Sequence, residues 1–485
     1  MPAVPSLAQC PDGTPPPCAG ARSARPTAPP PNSVAVLYFD NLSRDTGDAY
    51  LADGLTEEII VRLGQVQRLN VKTRFDVQLV RGRPVADPAA LGRTLNATFL
   101  VSGSVQRSGP RVRVRVELVR AASRQRVWGD VFARSSDDVL AIEEEVARAI
   151  VQGVTGQLLP AERTQIARRP TADPVAYDLY LRGNYLANRF TEPDLRAAIA
   201  IYEQAFTRDS TFALAQLGIA SAWFFLADDW VAPREAYPRA RRAAERALAL
   251  DSLASAAGYL VLPALTIDYD IARAEAIAER ALARDPGAPW VQFSMMFVRF
   301  AQGRRSDAVA FARRGWEADT LSFLSALATA VNLGMSGAFD DLAAFLPHAR
   351  SAAPEGVVLG WEGAVLYGRG ECADAAERFR SEQQSALQAF LVPALVCAGQ
   401  RPRAREALGV ELRRRQAGYR SGALIAIAYA ALGEVDSAFA WMDRAVDERD
   451  TFLLWLRTSP LVEPLRSDPR FEALLRRTWL RRAEP

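Results

Sequence analysis

The hydrophobic pattern divides the chain in two. Up to about residue 158, short apolar runs alternate with helical spacings; beyond about residue 176, helical spacing continues nearly to the end. Val34 to Phe39 is a continuous apolar run closed by Asp40 and Asn41, a turn signal, and predicts a buried strand. From Asp48 to Val66, Tyr50, Leu51, Leu55, Ile59, Ile60 and Leu63 recur on one helical face, with Thr56, Glu57 and Glu58 expected on the wet side. Leu69 to Thr73 predicts a second strand. Asp87 and Pro88 supply the cap and first position of a short helix ending at Leu95. Three strands are expected next, over Thr98 to Gln106, Arg111 to Val119 and Arg126 to Ala133. The middle one alternates strictly, with Val112, Val114, Val116 and Leu118 on one face and Arg111, Arg113, Arg115 and Glu117 on the other. A helix from Asp137 to about Leu158 completes the order β-α-β-α-β-β-β-α. That order predicts a small α/β domain with a mixed sheet over residues 33–158.

Residues 159–175 read as a linker, with Pro160, Arg168-Arg169-Pro170 and Asp173-Pro174. Residues 176–482 then repeat. Ala240, Ala274 and Ala308 lie 34 residues apart, as do Ala404 and Ala438; Gly303 and Gly337, and Gly399 and Gly433, keep the same step. A 34-residue period of paired helices is that of tetratricopeptide repeats. The expected fold class is therefore α+β mixed: the α/β domain followed by an all-α superhelix of about eight helical pairs. Such a pair cannot bury its apolar face alone, so stacking creates a curved array whose concave groove suits a peptide or partner helix. Trp223, Phe224, Trp230, Phe293 and Met296 are the candidate groove anchors. The stretch from Pro460 to Phe471 reads as a terminator, and Phe471 to Arg482 as an arginine-rich capping helix.

Composition narrows the chemistry. Of 485 residues, 59 are basic and 56 acidic, a net charge of +3, which argues against a strongly basic nucleic-acid binder. Lys72 is the only lysine and His348 the only histidine. This disfavours histidine catalysis, a His/Cys metal cluster and a groove of carboxylate-clamping lysines. No run of 18 apolar residues occurs, so no transmembrane helix is expected. No phosphate-binding loop, nucleophile elbow or kinase signature is present. No catalytic residue, cofactor or metal is expected. The arginine face of residues 111–115 lacks interleaved aromatics for base stacking and reads as a solvated sheet face. A candidate polar turn comprises Asp40, Asn41, Asp53 and Glu57. Asp228 and Asp229 read as turn residues, and Cys372 and Cys397 as unpaired core thiols.

Residues 1–32 are rich in proline and alanine and cannot bury enough surface to order themselves. Ser6-Leu7-Ala8 has the small-x-small form of a secretory cleavage site, without the charged and apolar segments that should precede it. Cys10 and Cys18 bracket a turn-forming spacer and are a candidate disulfide in an oxidising compartment.

The first domain also resembles the TolB amino-terminal-like (FlgO-like) family of bacteria. The resemblance rests on Phe39, Asn41 and Ser43 in F-x-N-x-S, and on Ala52-Asp53-Gly54-Leu55-Thr56-Glu57-Glu58-Ile59. It continues through Leu100-Val101-Ser102-Gly103-Ser104-Val105 and Val127-Trp128, and covers about 125 residues. It implies a small α/β domain without established catalytic residues, of a kind that often precedes a helical array. The expected function is a non-enzymatic scaffold in the periplasm or envelope that binds a protein or peptide, not nucleic acid. The alternative is a cytoplasmic regulatory module of a cyclase, kinase or transcription-factor system, lacking its catalytic domain.

Overall fold

Apolar strands flanked by helical stretches give a mixed sheet at the start of the chain. The computed structural model describes residues 29–78, 80–82, 87–135, 138–251, 254–318, 323–350, 352–380 and 389–478. Strand β1 (Ser33–Val36) runs parallel to β3 (Asn70–Val71) on one side and to β4 (Phe99–Ser108) on the other. The short β2 (Asp40–Asn41) also pairs parallel with β4. β5 (Arg111–Arg120) and β6 (Gln125–Ser135) continue antiparallel, giving the order β3-β1-β4-β5-β6. β5 buries Val112, Val114, Val116 and Leu118 and exposes Arg111, Arg113 and Arg115, as its alternation requires.

Helices α1 (Ala49–Gly64), α2 (Arg74–Gln78), α3 (Pro88–Thr94) and α4 (Val139–Thr155) belong to this domain; α1 and α4 pack together and cover one face of the sheet. The stretch read as a linker holds a further helix, α5 (Pro160–Ile166). Arg62 donates to the carbonyls of Ile166 (2.6 Å) and Arg168 (3.1 Å), which ties that stretch to α1.

The second unit is an array of helical pairs. The first are α6 (Pro174–Ala187) with α7 (Glu192–Arg208), α8 (Ala213–Leu226) with α9 (Pro233–Leu250), and α10 (Gly258–Thr266) with α11 (Ile271–Arg284). Next come α12 (Pro289–Ala301) with α13 (Arg305–Ala318), α14 (Phe323–Met335) with α15 (Phe339–Ala349), and α16 (Glu355–Gly368) with α17 (Cys372–Phe379). Leu391–Cys397 with Arg401–Ala417, and Gly422–Ala431 with Val435–Glu448, follow. Ala240, Ala274, Ala308, Ala404 and Ala438 are fully buried, so each marks a place where neighbouring helices touch too closely for a larger side chain. Gly303, Gly337, Gly399 and Gly433 have φ between +71 and +77°, the left-handed turn that links the two helices of a pair.

The structure corrects three expectations. The side of α1 carrying Thr56, Glu57 and Glu58 is not wet: all three are buried, Thr56 against the backbone at Phe39, Glu57 and Glu58 where α6 packs against α1. Cys372 and Cys397 are not unpaired thiols but a disulfide, with Cα atoms 5.7 Å apart, which fastens the start of α17 to the end of the Leu391–Cys397 helix. The terminal stretch is more than a cap. After Glu448 the chain forms two 3-10 turns, Thr451–Trp455 and Pro460–Leu465, before the helix Pro469–Arg476. These turns pack against α12 and the Gly422–Ala431 helix, both first helices of their pairs. Arg457 lies against Gly303, and Pro460 against Gly337. The array thus closes around its own final segment. The candidate pair Cys10 and Cys18 lies outside the described residues.

At Gly54 the two units meet closely. A Cβ on Gly54 would stand 2.9 Å from Cδ2 and 3.2 Å from Cβ of Leu181 on α6. Only glycine allows α1 and α6 this approach, which accounts for a residue that costs a helix about 1 kcal/mol against alanine. Gly54→Val is expected to destabilise the protein by about 1–3 kcal/mol through overpacking, and Gly54→Ala by less; thermal unfolding of the two variants beside the parent checks the order.

Candidate functional site

The motif residues near the start of the chain build the first domain. The backbone N–H of Phe39 donates to Thr56 Oγ1 at 3.0 Å, and Thr56 Oγ1 donates to the Ala52 carbonyl at 2.8 Å. The Phe39 ring lies against Gly103 of β4. Asn41 accepts from the Ser43 N–H at 3.0 Å, and Ser43 Oγ accepts from the Arg107 N–H at 2.8 Å. These bonds pin the β2 turn to β4 and to α1. Asp40 is exposed on that turn.

Asp53 and Glu57 stand elsewhere, in a polar cavity of about 510 Å³ between α1, α2 and the end of α6. Glu57 accepts from Tyr38 Oη (2.9 Å), Asn188 Nδ2 (2.9 and 3.0 Å) and Arg74 Nη1 (3.3 Å). Arg74 also bonds Asn188. Asp53 accepts a two-point contact from Arg81 at 2.7 and 2.9 Å, and that guanidinium lies 4.5 Å from the centre of the Tyr38 ring. Burial raises the Asp53 carboxyl above its usual range, against the pull of Arg81. Each carboxylate is already matched by an arginine of the same chain. The cluster therefore ties α1 and α2 to the end of α6 across the joint between the two units. Asp40 and Asn41 are not part of it, so the four residues of the candidate turn divide into two places.

Glu58 faces a second, drier cluster. Glu143 of α4 accepts from Tyr177 Oη at 2.7 Å and from Arg62 at 3.2 and 3.3 Å. The Glu58 carboxyl is pushed up by burial and then by the charge of Glu143 beside it. Burial raises the Glu143 carboxyl as well, against the pull of Arg62 and Tyr177.

The third cluster joins the ends of the array. Asp228, at φ +71° between α8 and α9, accepts from Tyr237 Oη (3.0 Å) and from the Thr451 N–H (3.4 Å). Tyr237 also bonds Thr451 Oγ1 at 3.1 Å. Asp450 accepts from Ser421 Oγ (2.7 Å) and from the N–H groups of Ala423 (3.2 Å) and Phe452 (3.0 Å). Burial, and then the nearby Asp450, raise the Asp228 carboxyl to about 7; burial raises Asp450 as well. Asp229 and the Tyr419 phenol are the other titratable neighbours.

Packing between the helices of the array decides the candidate groove. Trp223, Phe293 and Met296 are buried, while Phe224 and Trp230 are half-buried against the same core. Phe293 packs on Gly315, and Phe224 meets Tyr237, Tyr259 and Trp290 edge-on or tilted. They are packing residues in this structure, and they do not form an open anchor row. Phe452, Leu453, Leu454, Trp455 and Leu456 join that core. Each such burial is worth roughly 1.5–3 kcal/mol, so the inner segment is an integral part of the array. Its sequence signal was the apolar run after Asp450, too short to form a helical pair. Asp228 gave no signal, because its role depends on a residue 223 positions away. His348 is exposed on the last turn of α15, and no group of three His, Cys, Asp or Glu side chains is placed to hold a metal among the described residues.

No family model matches the chain. A curated relative, the putative adenylate cyclase 3 of Rhizobium meliloti (strain 1021), is 33% identical over 165 residues, 34% of this chain and 28% of the relative's length. Among solved structures, a monomeric mutant of IFIT1 with Gppp-AAAA aligns at 14% identity with a TM-score of 0.38, covering 66% of this chain and 77% of that one. The APC/C hetero-tetramer Cut9–Hcn1 aligns at 12% identity and 0.39, covering 89% and 84%.

The Asp228 carboxyl binds its proton more tightly in the folded than in the unfolded chain. Its stabilising contribution is full below the unfolded value near 4 and is lost as pH rises through about 7. Glu58 and Asp450 act in the same direction. The melting temperature is therefore expected to be higher at pH 5.5 than at pH 8. Asp228→Asn, which is uncharged at both, is expected to gain stability at pH 8 and flatten the profile; differential scanning calorimetry across this range checks the sign.

Proposed function

We propose that this chain is a non-enzymatic interaction scaffold of the bacterial envelope. The observation that carries the scaffold reading is the bonded joint: an α/β domain and a helical array are held together through Glu57 and Gly54, with the carboxylates there matched by the chain's own donors. Such a body presents fixed outer surfaces to a protein or peptide partner. Its inner face holds the segment from Thr451 to Leu465. The TolB-like resemblance supports the reading, since Phe39, Asn41, Ser43 and Thr56 act as framework residues. The Cys372–Cys397 disulfide supports the compartment, because such bonds persist in oxidising surroundings.

A second reading is favoured by the relative named a putative adenylate cyclase, which matches a third of this chain. On that reading the chain is a regulatory module of a signalling system, working in the cytoplasm. Mass spectrometry of the native protein from fractionated cells, alkylated before lysis, separates the two. The envelope reading expects a linked Cys372–Cys397 peptide pair in the periplasmic or membrane fraction, with the chain starting near Gln9. Both thiols alkylated on cytosolic protein would overturn it in favour of the regulatory module.

A further inference from the structure

Over β5 and β6 the sheet face opposite α4 carries no helix among the described residues. Arg111, Arg113 and Arg115 stand on that face, all exposed, and none is held in an ion pair among the described residues. Three like charges at alternate positions of one strand repel each other unless an anion lies across them. Their neighbours on β6 are small: Arg115 stands opposite Val131, Arg113 opposite Ala133, and Glu117 opposite Gly129.

β6 is also the edge of the sheet, and no strand pairs its outer side among the described residues. Its eleven residues contain no proline, and Val127 and Val131 are 39% and 40% exposed. Sheet edges are usually blunted by proline, lysine, a bulge or a covering element. Here a bulge at Val127 interrupts the start of β6, and beyond it the strand's own side chains occupy part of the backbone row. Asp130 accepts from the Val131 N–H (2.7 Å), Arg126 donates to the Gly129 carbonyl (3.2 Å) and Arg134 to the Ala133 carbonyl (2.9 Å). All three bonds are exposed, so exchanging them for strand pairing costs little. They also show that Gly129, Val131 and Ala133 direct their backbone groups outward.

We propose that β6 receives an extended acidic segment of a partner protein as an added strand, its acidic side chains crossing Gly129, Val131 and Ala133 to reach Arg113 and Arg115. The added strand would lie two strand spacings from β5, roughly 10 Å, within the combined reach of an arginine and a glutamate. The backbone row supplies pairing and the arginines choose the charge, the division of labour found in strand addition generally. The surface lies on the first domain alone, so it stands whichever compartment the protein occupies.

The test uses the full chain and a synthetic eleven-residue peptide alternating glutamate with threonine, followed by fluorescence anisotropy. The glutamate peptide is expected to bind and its lysine counterpart not to. Arg113→Glu with Arg115→Glu is expected to weaken binding by at least about tenfold, as two reversed contacts should. Val131→Pro removes an outward N–H without touching the β5 ladder and should weaken it comparably. N-methylating alternate amides of the peptide repeats that test with the protein unaltered. Failure of the glutamate peptide to bind overturns the proposal. So does undiminished binding of the N-methylated peptide, which would leave charge alone as the cause. Phosphatidylglycerol vesicles or duplex DNA binding through the same arginines while the peptide does not would assign the face to another polyanion and overturn it equally.

Discussion

A buried carboxyl group is tolerated only where donors converge on it, because an unpaired charge in a dry interior is costly. This fold meets that constraint at each place where distant parts of the chain come together. Glu57, Glu58 and Glu143 sit where the α/β domain meets the first helices of the array, served by Tyr38, Asn188, Arg62 and Tyr177. Asp228 and Asp450 sit where the array meets its own final segment, served by Tyr237, Ser421 and backbone N–H groups. Apolar contact supplies most of the adhesion at both joints, but it is non-directional. The carboxyls fix the alignment, since a shifted joint would leave them without donors.

The two joints give the molecule its character. An open helical array flexes along its length, each repeat touching only its neighbours. Here the first helical pair is held by α1 and the later pairs by the inner segment. What remains for a partner is the exterior: the outer helices, the arginine face and the free edge of β6.

Parts of this were plain in the residues. The alternation of Val112, Val114, Val116 and Leu118 with arginines is a property of one strand, and β5 shows it unaltered. The 34-residue return of small alanines and turn glycines reflects contacts between neighbours, and it too survives in the structure. What could not be read depends on partners far away in sequence. A helix such as α1, buried on the sheet side by apolar residues and on the other by a second unit, looks amphipathic, because its second interface is polar. The cysteines at 372 and 397 looked like ordinary core residues, since only the fold brings their Cα atoms together. The aromatic residues near 223 and 293 were equally compatible with a groove and a core; contacts with the helices around them, Phe293 on Gly315 and Phe224 on Tyr259, decide for the core.

The inner segment also changes how the array must fold. Paired helices form from contacts close in sequence and can assemble quickly, one pair templating the next. The bond between Asp228 and Thr451 closes a loop of 223 residues, whose entropy is repaid only when the intervening pairs are in place. Closure is therefore expected late in folding. Several such contacts, at Asp228, Tyr237, Gly303 and Gly337, couple distant repeats through one segment, so the array is expected to open more cooperatively than one whose repeats touch only their neighbours.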